Sequence, residues 1–411
     1  MLASLYRFFS SVKLTVTCLV LGCVIVFWGT IAQVHLGLYK AQNEFFRSVF
    51  VYWQPVGAGF HIPIFPGGYL IGTVLLVNLF LAHFRYYQPG KCKIGIVLIH
   101  LGIVLLLVGQ MLTDFLAVES SLHLRIGETK NYTEADRAFE LAVTDMTDKD
   151  SDKVVAIPCS VLVRRGEVND PEMPFTVRVK TFYANSLLSQ QSQPGYAQVQ
   201  TTASLGSGIW WCEVPRETGM NRIDMPSAIV EVVTNGGSLG TFLVSGWVDQ
   251  PQPFTFNRRT YEMRLRLERY YLPFSLHLIE FRHDKYPGTD IPKNFSSRVR
   301  LQNLENGENR EVRIFMNNPL RYAGETFYQA SFDTDDQGSV LQVVHNPDWL
   351  TPYFGCVLVA AGLVIQFLSH LIPFLKRRMV SPGSAAVPAA SGNVHDGGPD
   401  RQDADAPRKE K

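Results

Sequence analysis

Apolar positions along this chain follow two different patterns. In the first they run on without charge: residues 14 to 33 (LTVTCLVLGCVIVFWGTIAQ), about 68 to 84, 94 to 113 (IGIVLIHLGIVLLLVGQMLT) and about 352 to 375 contain no Asp, Glu, Lys or Arg. A helix needs about 20 mostly apolar residues to cross about 30 Å of hydrocarbon, and a buried soluble helix seldom keeps that length free of charge. Four transmembrane helices are therefore predicted, the second being the shortest. Arg7 and Lys13 ahead of the first run give it the look of a secretory signal. The run is longer than a signal core and no A-x-A site follows near Gln33, so it reads as a retained anchor.

The second pattern fills the stretch from Asp114 to Leu350. Tyr261, Met263, Leu265 and Leu267 alternate with Glu262, Arg264, Arg266 and Glu268, the period of a half-buried strand. Similar short runs near 138 to 145, 153 to 164, 175 to 183, 227 to 234, 239 to 247, 274 to 281, 297 to 303, 310 to 316, 325 to 332 and 339 to 345 are bounded by Gly, Pro, Asn or Asp. So many strands at this spacing predict antiparallel sandwich or barrel-like structure, with room for two subdomains divided in the polar stretch near 185 to 225.

The fold class predicted is thus an α-helical polytopic membrane protein with four transmembrane helices and a large extracytoplasmic mainly-β domain. Residues 1–113 form the membrane domain, 114–351 the β-rich domain, 352–375 the fourth transmembrane helix and 376–411 a cytoplasmic tail. That tail has almost no large apolar residue and is expected to be disordered.

Composition alone conceals this division. With 46% hydrophobic residues and a formal net charge of +1, the averages exclude collagen-like, coiled-coil and broadly disordered chains and offer no attraction to nucleic acid. Where the cations lie is more informative. Arg7 and Lys13, then Arg85, Lys91 and Lys93, then Lys376, Arg377 and Arg378 flank the runs on what must be one side, whereas the loop 34 to 67 has only Lys40 and Arg47. By the positive-inside bias both termini lie in the cytoplasm and the β-domain outside, in a bacterial inner membrane and its periplasm.

Of six cysteines, only Cys159 and Cys212 lie in the β-domain, where a disulfide between them is one option. No C-x-x-C or C-x-x-C-H occurs, nor a nucleophile elbow, a Walker loop, H-E-x-x-H or a dinucleotide-binding glycine pattern, which weakens every reading of the chain as a self-contained hydrolase, ATPase or dehydrogenase. Histidine within the apolar runs remains. His100 lies six residues into the third run between Ile99 and Leu101, about 9 Å along the helix at 1.5 Å per residue. An ionisable group there marks either a functional site, such as an axial haem-iron ligand, or a packing hydrogen bond between helices. His83 and His370 lie at the ends of their runs, where snorkelling explains them. Asn78 and Gln366 read as inter-helix contacts, with Gln366 and His370 on one face at i,i+4. His35 and His61 fall in the first outer loop, within reach of an external haem edge or simply on the surface. His277 and His283 are expected on one strand face with Ile279 and Phe281, about 20 Å apart and too distant to share a metal ion. The pair Trp210 and Trp211 reads as core.

Several segments resemble the ResB (CcsB) family of cytochrome c biogenesis proteins: KLTVTCLVLGCVIVFWGTIAQ, HLGIVLLLVGQMLTDFLAVESSLHLRIGET from His100, LPFSLHLIEFRHDKYPGTDIPKNFSSRVRL, and VRIFMNNPLRYAGETFYQASFD followed by SVLQVVHNPDW and the last run. Read physically, Asn318 and Pro319 break a strand, Gly324 permits a turn with positive φ, and Phe327 and Tyr328 resume pairing, with Tyr322, Phe327 and Tyr328 expected in the core. The resemblance implies a subunit of the system II cytochrome c haem lyase complex, not catalytic alone, acting in the membrane lipid with a ResC-like (CcsA) membrane protein to carry haem outward for attachment to apocytochrome c. It also implies that His100 is the cofactor-binding residue and the metal ligand, transiently holding haem b together with a histidine of the ResC-like partner. Two alternatives stand beside it: a non-haem membrane scaffold whose β-domain recruits a partner, and a stand-alone b-type cytochrome in which His100 pairs with His83 or His370.

Overall fold

A computed structural model describes residues 2–55, 60–86, 93–148, 152–164, 166–202, 204–219, 222–289 and 292–380. Each apolar run is a helix that continues a few residues past the charge-free stretch: Val12–Leu36, Gly68–Tyr86, Ile94–Leu116 and Thr351–Val380. These are called here the first to fourth spans, and all four are long and apolar enough to cross a membrane. The fourth takes in the start of the anticipated tail, whose remainder, like Lys91 and Cys92, lies outside the described residues. Ser11 caps the first span by accepting a hydrogen bond from the Lys13 amide at 3.2 Å, and Gly37, at φ 80°, ends it.

The spans pack as two pairs. The first and second are joined by Asn78, which is fully buried: its Oδ1 accepts from Thr15 Oγ1 at 2.6 Å and its Nδ2 donates to the Phe9 and Ser11 carbonyls at 2.7 and 3.0 Å. A buried amide in an apolar bundle is tolerable because its donors and acceptor are matched in this way. At the same end Arg85 donates to the Arg7 carbonyl at 3.1 Å and to Ser10 Oγ at 2.8 Å, which brings two of the basic groups together.

The third and fourth spans run antiparallel along a seam of glycines. Gly95, Gly102 and Gly109 recur every seven residues on the third span and are its buried residues; Gly355 and Gly362 answer them on the fourth. A Cβ at Gly102 would stand 2.8 Å from the Gly355 carbonyl oxygen, and one at Gly95 2.7 Å from that of Gly362. The seven-residue period keeps one narrow face on the partner helix, and the missing side chains let the backbones meet.

The β-domain hangs from this pair. Strand Val118–Arg125 begins two residues after the third span, and strand Gly338–His345 ends six residues before the fourth. The two strands pair antiparallel, Val118 opposite His345, so the helix pair passes directly into a strand pair. They sit inside a ten-stranded sheet built around two long strands, Thr129–Asp145 and Arg259–Lys285. One half of these strands, with Leu141, Val143, Met263 and Leu265, packs on a four-stranded sheet that supplies Val177, Val230, Val232 and Phe242. The other half closes a second core in which Leu276, Leu278, Leu301 and Ile314 meet Leu122, Phe327, Leu341 and Val343. The polar stretch near 185 to 225 is no divide. It forms a small three-stranded sheet whose Trp211 is buried on Tyr183 with ring centroids 4.4 Å apart.

Most of the anticipated strands are present, and two corrections concern side-chain placement. The long strand slips register between Leu278 and Glu280 against its neighbour, so burial passes from Leu276 and Leu278 to Phe281. His277 and His283 therefore do not share a face. His277 meets Thr129 Oγ1 at 2.9 Å, while His283 lies on the Phe332 ring at 4.3 Å and pairs with Asp336 at 3.0 Å. In the Asn318-Pro319 segment, Phe327 is fully buried but Tyr328 is 38% exposed and is no core residue. The turn between Tyr322 and Glu325 has φ 50° at Ala323 and 85° at Gly324, the doubly left-handed geometry of a two-residue hairpin.

Candidate functional site

Facing inward along the spans from the β-domain, the second and third meet only lightly, in contrast to the closely packed third and fourth. His83 and His100 sit at the far end of this seam. Their ring centroids are 5.5 Å apart and the planes inclined by 43°. His370, the other histidine at that end, is held instead by Gln366, at 2.7 Å between side-chain nitrogens. Of the two partners that sequence allows for His100 within the chain, the structure brings in His83 and leaves His370 on the fourth span.

The protonation of His100 follows from its contacts. Its Nδ1 lies 2.7 Å from the carbonyl oxygen of Ile96, one turn earlier. A carbonyl accepts and cannot donate, so Nδ1 is the protonated nitrogen in this contact, and in the neutral tautomer that has this proton the lone pair is on Nε2. A backbone carbonyl fixing one ring nitrogen so that the other can bind metal is a recurrent arrangement at metal-ligating histidines. The donor set therefore suits an iron of moderate softness such as that of haem, and the half-buried ring stands at the flank of the helix pair, where a flat ligand or another helix can approach. Among the described residues no group of three or more His, Cys, Asp or Glu could enclose a metal ion.

At the end of the same seam near the β-domain lies a cavity of about 320 Å³. Its walls are Phe46, Leu76, Leu107 and Met111, and its polar end is Arg47 and Asp114. Arg47 Nε pairs with Asp114 Oδ1 at 2.9 Å, and Tyr69 donates its hydroxyl to Asp114. Asp114 directly follows the third apolar run and Arg47 lies in the loop between the first and second, so the sequence shows both charges but not that they pair. His61 is on the outer surface, edge-on to Tyr52 at 6.5 Å, and His35 lies in the last turn of the first span, not in the loop.

Two of the β-domain's concavities carry side chains of chemical interest. One, of about 410 Å³, is lined by the hairpin residues Arg321, Tyr322 and Tyr328 and by Trp349 and Tyr353 at the start of the fourth span; Arg321 stacks over Trp349 at 4.6 Å. The other, of about 470 Å³, holds Arg137, Cys159 and Glu268. Cys159 and Cys212 are both free, so the possible disulfide is not made. Burial, and then the carboxylates of Glu140 and Glu268, push the Cys159 thiol up to about 12. At neutral pH it stays protonated and is no nucleophile toward a substrate thiol or disulfide. In the folded protein, iodoacetamide is expected to alkylate Cys159 at least about tenfold more slowly than a free cysteine, and at the free rate after denaturation. Prompt modification of the folded chain, mapped by mass spectrometry, would contradict this assignment.

Residues 237–340 match the family model described as the ResB-like family. Over 97 residues the chain is also 38% identical to Protein NrfI of Wolinella succinogenes, a match covering 24% of this chain and 11% of that protein. The aligned part thus spans about a tenth of the relative's length. The family match runs from strand Gly237–Ser245 through the long strand and the Asn318-Pro319 hairpin into strand Gly338–His345. His83, His100 and the four spans lie outside it.

Proposed function

From a chain whose residues 237–340 place it with the ResB-like family, we propose a subunit of the membrane complex that carries haem outward and supports its covalent attachment to apocytochrome c. The four apolar helices cross the bacterial inner membrane, with the basic end of the bundle in the cytoplasm and the β-domain in the periplasm. Haem is the cargo and apocytochrome c the client. A ResC-like partner supplies the rest of the haem path.

The observation that carries the reading is the state of His100: an imidazole within an apolar helix, with Nδ1 tied to the Ile96 carbonyl and Nε2 left as the donor atom. An ionisable side chain at that depth is costly unless it serves a ligand or a partner. The β-domain, continuous with the third and fourth spans through paired strands, would hold the client over the outer end of the same helices.

Deletion of the gene followed by staining of membrane proteins for covalent haem tests the proposal. Loss of the c-type cytochromes, restored by the gene in trans, is the expected result. Unchanged covalent haem in a genome with no second copy would overturn the role, and recovery of a partner complex that never holds haem would favour a scaffold without haem contact.

A further inference from the structure

We propose that the hairpin between the first and second spans, strands Phe50–Trp53 and Ile62–Pro66, is a membrane-interface anchor whose open face lies among the phospholipid headgroups of the outer leaflet. The inference rests on the reading above that the four apolar helices cross a membrane. From Ser48 to Phe84 the sequence has no Asp, Glu, Lys or Arg, so the charge-free stretch begins well before the second span. Phe50, Tyr52, Trp53, Phe60, Ile62 and Ile64 are each between 38% and 60% exposed. Strands of the β-domain furnish their open faces differently: Arg298 and Arg300 pair there with Glu311 at 3.4 and 2.9 Å. An apolar patch of this kind is a surface made for contact, not for water.

The hairpin's position selects lipid as its cover. Its inner face is fixed to the bundle: Val51 is buried with Ile25, Phe45 and Ile71, and its register partner Phe65 packs edge-on against Trp28 with centroids 5.9 Å apart. Trp28 lies eight residues before the end of the first span, about 12 Å along the helix. The hairpin therefore leaves the flank of the bundle, not its tip. Its base is also level with the outer ends of the second and third spans. The Gly67 amide donates to the Val49 carbonyl at 2.8 Å and the Tyr69 amide to the Ser48 carbonyl at 3.2 Å, while the Tyr69 hydroxyl reaches Asp114 on the third span.

Depth follows from the backbone. The two strands form a sheet of their own, so each has an open edge whose amides and carbonyls need water, and hydrocarbon is excluded. The headgroup layer accepts both apolar side chains and hydrated backbone, and Trp and Tyr are the residues that collect there. Pro63 and Pro66 lack amide hydrogens, which blunts the second strand's edge against an added strand and disfavours an extended peptide as the occupant.

The test places one nitroxide at a time on the full chain, its native cysteines replaced by alanine, in vesicles of phosphatidylcholine and phosphatidylglycerol. The labelled variants are Tyr52→Cys, Ile64→Cys, Phe27→Cys on the first span and Leu304→Cys in a β-domain turn, at positions 54, 45, 70 and 85% exposed. Electron paramagnetic resonance reads collision with oxygen relative to collision with a water-soluble nickel chelate. At positions 52 and 64 this ratio is expected to be at least about threefold above that at 304 and below that at 27. Equality with position 304, while position 27 remains in lipid, would leave the hairpin in water and overturn this proposal alone. A ratio at position 27 as low as that at 304 would overturn the membrane reading beneath it. Labels at 52 and 64 shielded from both reagents, in these vesicles or in native membranes holding the whole complex, would assign the face to protein and overturn the lipid contact. Because cysteine replacement can disturb folding, Trp53→Phe in the otherwise native chain gives a second reading. Wild type is expected to lose more fluorescence to brominated lipid than the variant does, and an equal loss would contradict the anchor.

Discussion

His100→Ala membranes are expected to hold the chain at close to its normal level yet carry at least tenfold less covalent haem on c-type cytochromes, with partial recovery when imidazole is added to the culture. The argument separates function from fold. The His100 ring is only half-buried, with its Nδ1 on a carbonyl of its own helix and its face toward His83, so truncation opens no fully buried cavity. Alanine is also the best helix former, and the Ile96 carbonyl keeps its place in the backbone ladder. A stability loss is therefore small, whereas under the proposed role the variant lacks an iron-binding group that no neighbouring side chain on the third span replaces. Imidazole fits the space vacated by the ring and restores the donor atom. Full maturation by the variant, measured by haem staining against chain level, would reduce His100 to a packing residue.

Gly102→Leu is expected to have the largest effect on the fold itself. A Cβ at this position meets Val359 Cγ2 at 2.6 Å, the Gly355 carbonyl oxygen at 2.8 Å and the Val359 amide nitrogen at 2.9 Å. A side-chain methyl can move aside; two backbone atoms of the opposing helix cannot. The third and fourth spans must then separate, at a cost of about 1–3 kcal/mol for ordinary overpacking and more where backbone is the obstacle. Strands Val118–Arg125 and Gly338–His345 emerge from those two helices, so the strain reaches the β-domain. The melting midpoint of the purified chain in detergent should fall clearly, while Gly22→Leu, at a glycine with nothing within 4 Å of its added Cβ, leaves it unchanged or raises it. Equal midpoints for the two variants would show that the seam does not hold the helices.

Much of this architecture is legible in the sequence, and the failures have physical causes. The spans are evident from absence of charge over a fixed length, which is a one-dimensional signal. The faces they present are not, because a nearly uniform apolar helix has little periodicity to read; the recurrence of Gly95, Gly102 and Gly109 is the signal that was available. In the β-domain, alternation locates strands well but breaks wherever register slips. Arg259–Lys285 reads as two strands, 261 to 268 and 274 to 281, because pairing with Thr129–Asp145 shifts between Leu267 and Arg269 and again between Tyr271 and Leu276, around Pro273. The same effect misplaced His277 relative to His283. As for the site, His100 is identifiable from its depth in an apolar run, but the choice between His83 and His370 depends on which helices pack together, and no local pattern carries that information.

The antiparallel pairing of the third and fourth spans also fixes an order of assembly. About 235 residues separate Leu116 from Thr351, so at synthesis rates of about 5–20 residues per second the third helix leaves the ribosome on the order of tens of seconds before its partner is made. During that interval the glycine face of the third helix is uncovered while the whole β-domain is made and begins to fold. His83 and His100, by contrast, lie on helices that leave the ribosome one after the other. The two imidazoles can meet while the chain is still being made, and the helix pair that carries the β-domain closes last.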